Sequence, residues 1–347
     1  MYDLYSSSYY DFNLVNCNNE KNIRNTLETY GVGSCGPRAF LGTTLPHIKI
    51  EQDIAQFIGK DVVAIQYPST LSIHLSILNA FASKRTLVMY DEKCCYAAKE
   101  GINLSRTNSL SFQHNNINSF KEKINIIKSK KYTDIFLIIE GVYYNTGEKI
   151  EHFDEIVNLC SQYKIKIILN DTYAFGFIGG TGKGTCEKYG VHTNNIFQTI
   201  IGLDAVLGGM GAIAYGTKEN INIQRLNGSG YTYSASVPPI YVANASASLQ
   251  SLKTNFEEYV NELIINISTL NGLLNTNYTS PIIYIKANKE DLVKIKNEIK
   301  DAGADVAIPR HNSQEALLYH PCIRIILKHN SKPIIEPICD IIKNYLI

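Results

Sequence analysis

The sequence predicts an α/β protein: a mostly parallel sheet with helices on both faces, followed by a small C-terminal α+β domain. Three observations carry that reading. From Val32 to about residue 216, short apolar stretches alternate with helical patterns. Those stretches lack strict polar alternation, as strands buried on both faces do. After "YSASVPPIY" the rhythm gives way to one long helix and a few shorter elements.

Residues 1–30 read as an arm and a short helix, "NEKNIRNTLETYG", stopped by Gly31. The strand candidates of the main domain are "DVVAIQY" (61–67), "RTLVMYDE" (85–92), "DIFLIIEGVYY" (134–144), "KIKIILND" (164–171), "FQTIIGL" (197–203) and "GAIAYG" (211–216). Helical stretches at 51–59, 72–82, 116–129 and 153–163 separate several of them, which is the rhythm of strand–helix–strand units. Residues 240–275 read as one long helix broken near Thr254-Asn255. Strand 281–287, helix 289–302, strand "VAIP" (306–309), strand "CIRIILK" (322–328) and helix 333–346 complete the chain. The expected division is therefore an arm over 1–30, a large domain over 31–239 and a small domain over 240–347.

Composition narrows the function. With 33 basic and 32 acidic residues the formal charge is +1, which gives no electrostatic case for nucleic acid. None of the eight cysteines forms a Cys-x-x-Cys pair, so no zinc site is expected. The start, "MYDLYSSSYYDF", has neither the basic nor the apolar region of a signal peptide, and free thiols are expected. No apolar run approaches the ~20 residues that span a bilayer.

Some motifs carry less than they promise. "GVGSCG" (31–36) has dinucleotide-type glycine spacing, but a helix precedes it and "PRAFLGT" follows, where a strand and a helix are needed. "GGTGKGT" (179–185) resembles a phosphate loop, yet Gly184 follows Lys183 where Ser or Thr belongs; a surface turn is the better reading. His47, His114 and His152 are scattered singly and read as structural residues rather than metal ligands.

Four stretches in order change the picture: "YGVGSCGPRAFLGTTLPHIKIEQDIAQFIG" (30–59), "FQHNN" (112–116), "IIEGVYYNTGEKIEHFDEIVNLCSQYKIKIILNDTYAFGFIGGTGKGTCEKYGV" (138–191) and "GYTYSASVPP" (230–239). Together they resemble the α-oxoamine synthases, fold-type-I enzymes that use pyridoxal phosphate, from about residue 9 to the C-terminal "CIRIILK". Within that family, "GVGSCGPR", "EGVYYNTG" and "YSASVPP" look most like the non-catalytic long-chain-base subunits of eukaryotic serine palmitoyltransferases. The resemblance implies a fold-type-I PLP-transferase large domain.

Pyridoxal chemistry needs a lysine amine for the Schiff base, a carboxylate against the ring nitrogen, a donor to the phenolic oxygen and a flat group on the ring face. The resemblance puts the lysine position at Asp204, in "GLDAVLGGMGA", and a carboxylate cannot form an imine. It puts the ring acid at Asn170, a neutral amide, the neighbouring His at Tyr173, the stacking His at Cys95 and the phosphate-side pair at Thr70-Leu71. A slip of one residue would offer Asp171 as the ring acid; no lysine occurs in 199–216, and Lys188 and Lys218 lie outside that turn. This chain is accordingly expected to bind no cofactor covalently.

A subunit of this family without its own lysine can still complete a partner's site, because the resemblance implies active sites at the interface of two chains. The segment expected to be lent is "GSGYTYSASVPP", with Ser234 and Ser236 offered to the phosphate of a partner's pyridoxal cofactor; a plain turn closed by Pro238-Pro239 is the competing reading. Residues 31–43, with Arg38, are a second interface candidate, Arg38 being either a charge partner or a solvated side chain. The resemblance places Arg324 where family enzymes hold the amino-acid carboxylate. The expected function is the non-catalytic half of a heterodimer whose lysine-bearing partner holds pyridoxal phosphate and condenses serine with an acyl-CoA. The alternatives are a self-sufficient homodimeric synthase and a silent regulatory protein. The family's eukaryotic subunits usually carry an N-terminal membrane helix that this sequence does not show. Attachment to the cytoplasmic face of the endoplasmic reticulum is then expected through the partner.

Overall fold

A computed structural model describes residues 1–15, 19–128, 131–310 and 319–346. Eleven strands form among these: β1 (Tyr2–Asp3), β2 (Val63–Tyr67), β3 (Thr86–Asp91), β4 (Asn108–Phe112), β5 (Asp134–Glu140), β6 (Lys166–Asn170), β7 (Gln198–Gly202), β8 (Ala212–Gly216), β9 (Ile282–Lys286), β10 (Ala304–Asp305) and β11 (Cys322–Ile326). The chain divides into two compact units. The larger comprises Phe12–Tyr143 and Ile150–Phe256; the smaller comprises Met1–Asp11, Tyr144–Lys149 and Glu257–Ile347.

Seven strands of the larger unit make one sheet in the order β2-β8-β7-β6-β5-β3-β4. Strands β3 to β7 run parallel and β8 runs antiparallel to both its neighbours, so the expected α/β class with a mostly parallel sheet is what the chain forms. Phe136, Leu137, Ile138 and Ile139 of β5 are fully buried, which accounts for the unbroken apolar run. Edge strand β4, "NSLSF", escaped the sequence reading because its outer residues are polar and exposed. The polar helices Tyr96–Ser105 and Lys218–Asn227 escaped it too.

The division differs from the expected one. The long helix Pro239–Leu274 breaks at Asn255 (φ −120°, ψ 18°), and the unit boundary falls there rather than at residue 239. Thr254 Oγ1 and Asn255 Nδ2 both donate to carbonyls four residues back, at 3.0 and 3.2 Å, a pattern that bends helices. The arm expected over 1–30 is divided: Met1–Asp11 belong to the smaller unit, where β1 pairs with β10 and the buried Lys328 Nζ lies 3.0 Å from both Asp3 and Asp11, and helix Glu20–Tyr30 belongs to the larger one. Burial would raise the Asp3 carboxyl, but hydrogen bonds from Ser6 and Lys328 outweigh it and bring its pKa down to about 2. The strand expected at 306–309 is absent; β10 ends at Asp305, and Ala307 makes one bridge to Arg324. Cys35, Cys94, Cys95, Cys160, Cys186, Cys322 and Cys339 are free thiols, and Cys17 lies outside the described residues.

A buried ion cluster holds the front of the larger unit. Glu51 takes Arg38 on one oxygen and Arg225 on the other, each at 3.0 Å, and accepts the Gln66 N–H at 2.8 Å. Arg38, one of the interface candidates, is 3% exposed and also donates to Thr43 and Gln66, with the Tyr231 ring 5.4 Å from its guanidinium. It is therefore an internal charge partner, not a solvated one. Removing one member of such a cluster leaves an uncompensated buried charge. Glu51→Ala is expected to cost about 3–5 kcal/mol of stability in urea unfolding, and a loss under 1 kcal/mol would show the cluster to be dispensable.

Candidate functional site

In sheets of this kind the crevice beyond the carboxyl ends of the strands is where ligands bind. Here those ends carry Asp91 on β3, Glu140 on β5, Asn170 on β6 and Gly202 on β7. Cross-strand register sets Glu140 opposite Asn170. Both are buried, so each must find hydrogen-bond partners inside the protein.

They find each other. Asn170 Nδ2 donates to Glu140 Oε1 at 3.3 Å and to Cys95 Sγ at 3.4 Å. The Cys95 N–H, at the start of helix Tyr96–Ser105, donates to the same Glu140 oxygen at 2.7 Å. On the other side Thr172 Oγ1 donates to Asn170 Oδ1 at 2.7 Å and accepts the Gly202 N–H at 3.0 Å. One chain of bonds thus runs from β5 through β6 to β7. Burial raises the Glu140 carboxyl to about 7, despite lowering by hydrogen bonds from Cys95 and Asn170. Burial, with Glu140 beside it, also pushes the Cys95 thiol up, so it is no thiolate nucleophile at neutral pH.

Asp171, the alternative ring acid, faces elsewhere. It accepts the Thr185 N–H at 2.8 Å and the Thr185 hydroxyl, and its pKa is raised to about 6 by burial. Gly184 (φ +93°) and Gly141 press against this carboxylate, leaving no room for a Cβ at either position. The "GGTGKGT" turn is held by Glu187, which accepts from Thr181 N, Thr181 Oγ1 and Lys183 N at 2.7–3.0 Å. It builds the Asp171 support rather than a phosphate cradle.

Asp204 is exposed in the one-turn helix Leu203–Val206. Desolvation raises its carboxyl, while the backbone N–H groups of Asp204 and Ala205 lower it. Tyr173 is half-buried. Thr70 opens helix Thr70–Phe81, whose first turn is closed by reciprocal Ser69 and Ser72 bonds at 3.1 and 3.2 Å. The larger unit brings Cys95 and Asn170 into one network with Glu140. That donor set does not match what a pyridoxal ring needs: it lacks an amine in 199–216, and Glu140, the acid beside Asn170, is bound to an amide and a thiol.

Sequence reading missed Glu140, Asp91 and Glu51. The available signal was a carboxylate ending an apolar run, as in "DIFLIIE" and "TLVMYD". Asp91 binds His114 Nδ1 at 2.8 Å and the Asn115 N–H at 3.0 Å, which explains "FQHNN" structurally. His47 is structural as expected, with Nε2 2.7 Å from the Val237 carbonyl.

The segment expected to be lent is only partly presented. Ser236 is buried; its hydroxyl donates to the Gly42 carbonyl at 2.5 Å and the Gly36 carbonyl at 3.1 Å. Within this chain it is an internal staple between the two segments. Ser34 Oγ donates to the Ser236 carbonyl at 2.8 Å and Pro37 bridges Ala235, so segments 31–45 and 228–239 form one surface. That surface carries half-buried Ser234 and the exposed Val32, Phe40, Leu41 (88%), Leu45 and Tyr233 (80%). Its single charged residue, Arg38, is buried. Contiguous exposed apolar surface of this kind marks an interaction site.

Arg324 belongs to the smaller unit. Its Nη1 donates to the Tyr144 hydroxyl and its Nη2 to the Tyr5 carbonyl at 3.0 Å, with the guanidinium 5.0 Å from the Tyr144 ring. Its Nε is buried and unbonded, and among the described residues no carboxylate pairs with it. Burial lowers its pKa.

Residues 4–290 match the family model "Aminotransferase class I and II". The chain is 34% identical over 273 residues to long chain base biosynthesis protein 1c of Oryza sativa, covering 75% of this chain and 56% of that one. It is 30% identical to serine palmitoyltransferase 1 of Dictyostelium discoideum, covering 92% of this chain and 72% of the other. The chain spans between 56% and 61% of the two rice proteins that it matches. Among solved structures, serine palmitoyltransferase of Sphingomonas wittichii superposes with a TM-score of 0.88 at 21% identity, covering 99% of this chain and 86% of that one. The 8-amino-7-oxononanoate synthase of Francisella tularensis gives 0.80 at 21% identity, with 99% and 97% covered. At that identity the likeness speaks for the fold.

The buried acids make stability pH-dependent. Glu140 sits above its ordinary 4.5 and Asp171 above 3.8, so each contributes stability that is complete at acid pH. That contribution is lost as pH rises through about 6 for Asp171 and about 7 for Glu140. Glu140→Gln should flatten the fall between pH 4.5 and 7 by roughly 3 kcal/mol. Urea unfolding at a series of pH values tests this, and an unchanged slope would move the proton to another group.

Proposed function

Because the chain belongs to the aminotransferase class I and II family, with relatives named as subunit 1 of serine palmitoyltransferase, we propose that it is the non-catalytic subunit of such an enzyme in long-chain-base synthesis. The complex condenses serine with a long acyl-CoA, releasing carbon dioxide and free CoA and leaving a 3-keto long-chain base. A lysine-bearing partner holds the cofactor; this chain completes and steadies the partner's site.

One observation carries the reading. The resemblance sets Asp204 at the Schiff-base lysine position and Asn170 at the ring-acid position, and Asn170 already gives its amide protons to Glu140 and Cys95. Neither covalent attachment nor ring protonation has a group to perform it. The uncharged face over 31–45 and 228–239 supports a role through association, with Ser234 as the hydroxyl offered to the partner's site. Arg324, which lacks a carboxylate among the described residues, suits an anionic ligand group. No helix among the described residues is long and apolar enough to cross a membrane, so the proposed attachment to the endoplasmic reticulum runs through the partner.

Co-expression with the lysine-bearing chain of the same genome is the test. The pair should show aldimine absorbance and release CoA from acyl-CoA in the presence of serine, while this chain alone should give no borohydride-trappable adduct. A trapped adduct on the isolated chain would overturn the reading. Within the pair, Ser234→Trp should lower turnover at least tenfold while the pair stays associated; undiminished turnover would remove this segment from the partner's site.

A further inference from the structure

The amino ends of the parallel strands lie at the opposite end of the sheet from the crevice. The register puts the starts of β3, β4, β5 and β6 side by side there. Hydrogen bonds join the loops that enter them. Asn108 Nδ2 donates to the Lys84 carbonyl at 3.3 Å, and the Thr133 N–H and hydroxyl donate to the Arg85 carbonyl at 3.0 and 3.2 Å. Lys128 ends helix Ile117–Lys128 and places its ammonium 4.7 Å from the ring of Tyr163, the residue after helix Phe153–Gln162. The four loops make one surface.

That surface is basic. Lys84, Arg85, Arg106, Lys128, Lys131 and Lys164 are all exposed on it. Among the described residues none of them pairs with a carboxylate, and Asp134, the acid of these loops, is taken by Lys166 at 2.6 Å. The whole chain carries a formal charge of only +1, so the cations are concentrated here and offset elsewhere. Strand starts lie about 4.8 Å apart. Cations gathered over four of them repel one another within a screening length of about 10 Å, and an anionic surface laid across them relieves that repulsion.

Two aliphatic side chains stand among the charges. Leu104 is 55% exposed two residues before Arg106, and Ile126 is 45% exposed two residues before Lys128. An anionic bilayer takes up this combination: cations settle among the head groups and aliphatic groups enter the acyl boundary. Nucleic acid without its own sequence preference stacks its bases on exposed aromatic rings instead. The tyrosines of these loops, Tyr132 and Tyr163, are half-buried, and Lys128 lies over the second.

We propose that the amino-end face of the sheet docks on an anionic lipid surface. This contact belongs to the chain itself; it adds to the attachment proposed through the partner and depends on neither that attachment nor the heterodimer. The isolated full chain should sediment with phosphatidylcholine vesicles holding about 30% phosphatidylserine, and not with pure phosphatidylcholine. Salt at about 1 M, where the screening length falls to about 3 Å, should release it. Arg85→Glu with Lys131→Glu should weaken binding about tenfold or more. Lys289→Glu with Lys300→Glu, an equal change of charge in the smaller unit, should leave binding unaltered. Leu104→Ser with Ile126→Ser should weaken vesicle binding about threefold. All three pairs of changes are at exposed positions, and unaltered melting temperatures would show that the fold is kept. Equal sedimentation with both kinds of vesicle, or equal losses from the two charge reversals, would overturn the proposal. Undiminished binding after the Leu104 and Ile126 changes would remove the bilayer contact and overturn it too. Tighter binding to polyuridylic acid than to the vesicles at the same salt would assign the face to nucleic acid. In the co-expressed pair the effect of Arg85→Glu with Lys131→Glu should persist; its loss there, with the isolated chain still binding, would show that the partner covers this face and would overturn the assignment to lipid.

Discussion

The contact between Glu140 and Asn170 fixes how the whole crevice is built. Two apolar runs, "DIFLIIE" and "KIILN", pair in parallel, and their register leaves one carboxyl and one amide side by side where water is excluded. In such a place polar groups must satisfy each other or destabilise the fold. The carboxyl draws in the Cys95 N–H and so sets the start of helix Tyr96–Ser105; the amide draws in Thr172, which in turn holds the end of β7 through Gly202. Four segments are thereby tied by groups that, in a cofactor enzyme, would be turned toward a ligand. The same atoms cannot serve both purposes.

Much of the architecture was legible in the sequence because it depends on local pattern. Unbroken apolar runs announced β2, β3, β5, β6, β7 and β8, and the adjacent Thr254-Asn255 announced the break in the long helix. The carboxylate at 204 was equally plain in the sequence, and the resemblance is what sets it at a lysine position. What stayed hidden depends on cross-strand register or on distance along the chain. Glu140 reads as one polar residue inside the strand candidate 134–144 until β6 is laid beside it. Arg38 and Ser236 read as surface residues of glycine- and serine-rich segments until Glu51 and the carbonyls of Gly36 and Gly42 are found next to them. Polarity in such a segment signals either exposure or internal bonding, and residue type alone does not separate the two.

The larger unit therefore inverts the usual distribution of polar groups at a working site. The strand ends, where an enzyme keeps unsatisfied donors for its substrate, are internally saturated. The segments 31–45 and 228–239, where a monomer would place charge, present Phe40, Leu41, Leu45 and Tyr233 over a rigid base of hydrogen bonds and one buried ion cluster. Rigidity matters here: a pre-organised apolar surface loses little conformational entropy when covered, so its exposed area converts more fully into affinity.

That inversion also means that the proposed lack of pyridoxal chemistry in this chain does not rest on one position. A lysine placed at 204 would supply an amine and nothing else. Asn170 would still give its amide protons to Glu140 and Cys95, and Asp171 would still be held by Thr185 behind Gly141 and Gly184. Turning Asn170 into an acid would set it against Glu140, a second acid already raised by burial, and two carboxyls that close cannot both ionise. Each such change is opposed by a neighbour that depends on the present arrangement. The energies of changes at residues in such contact do not add.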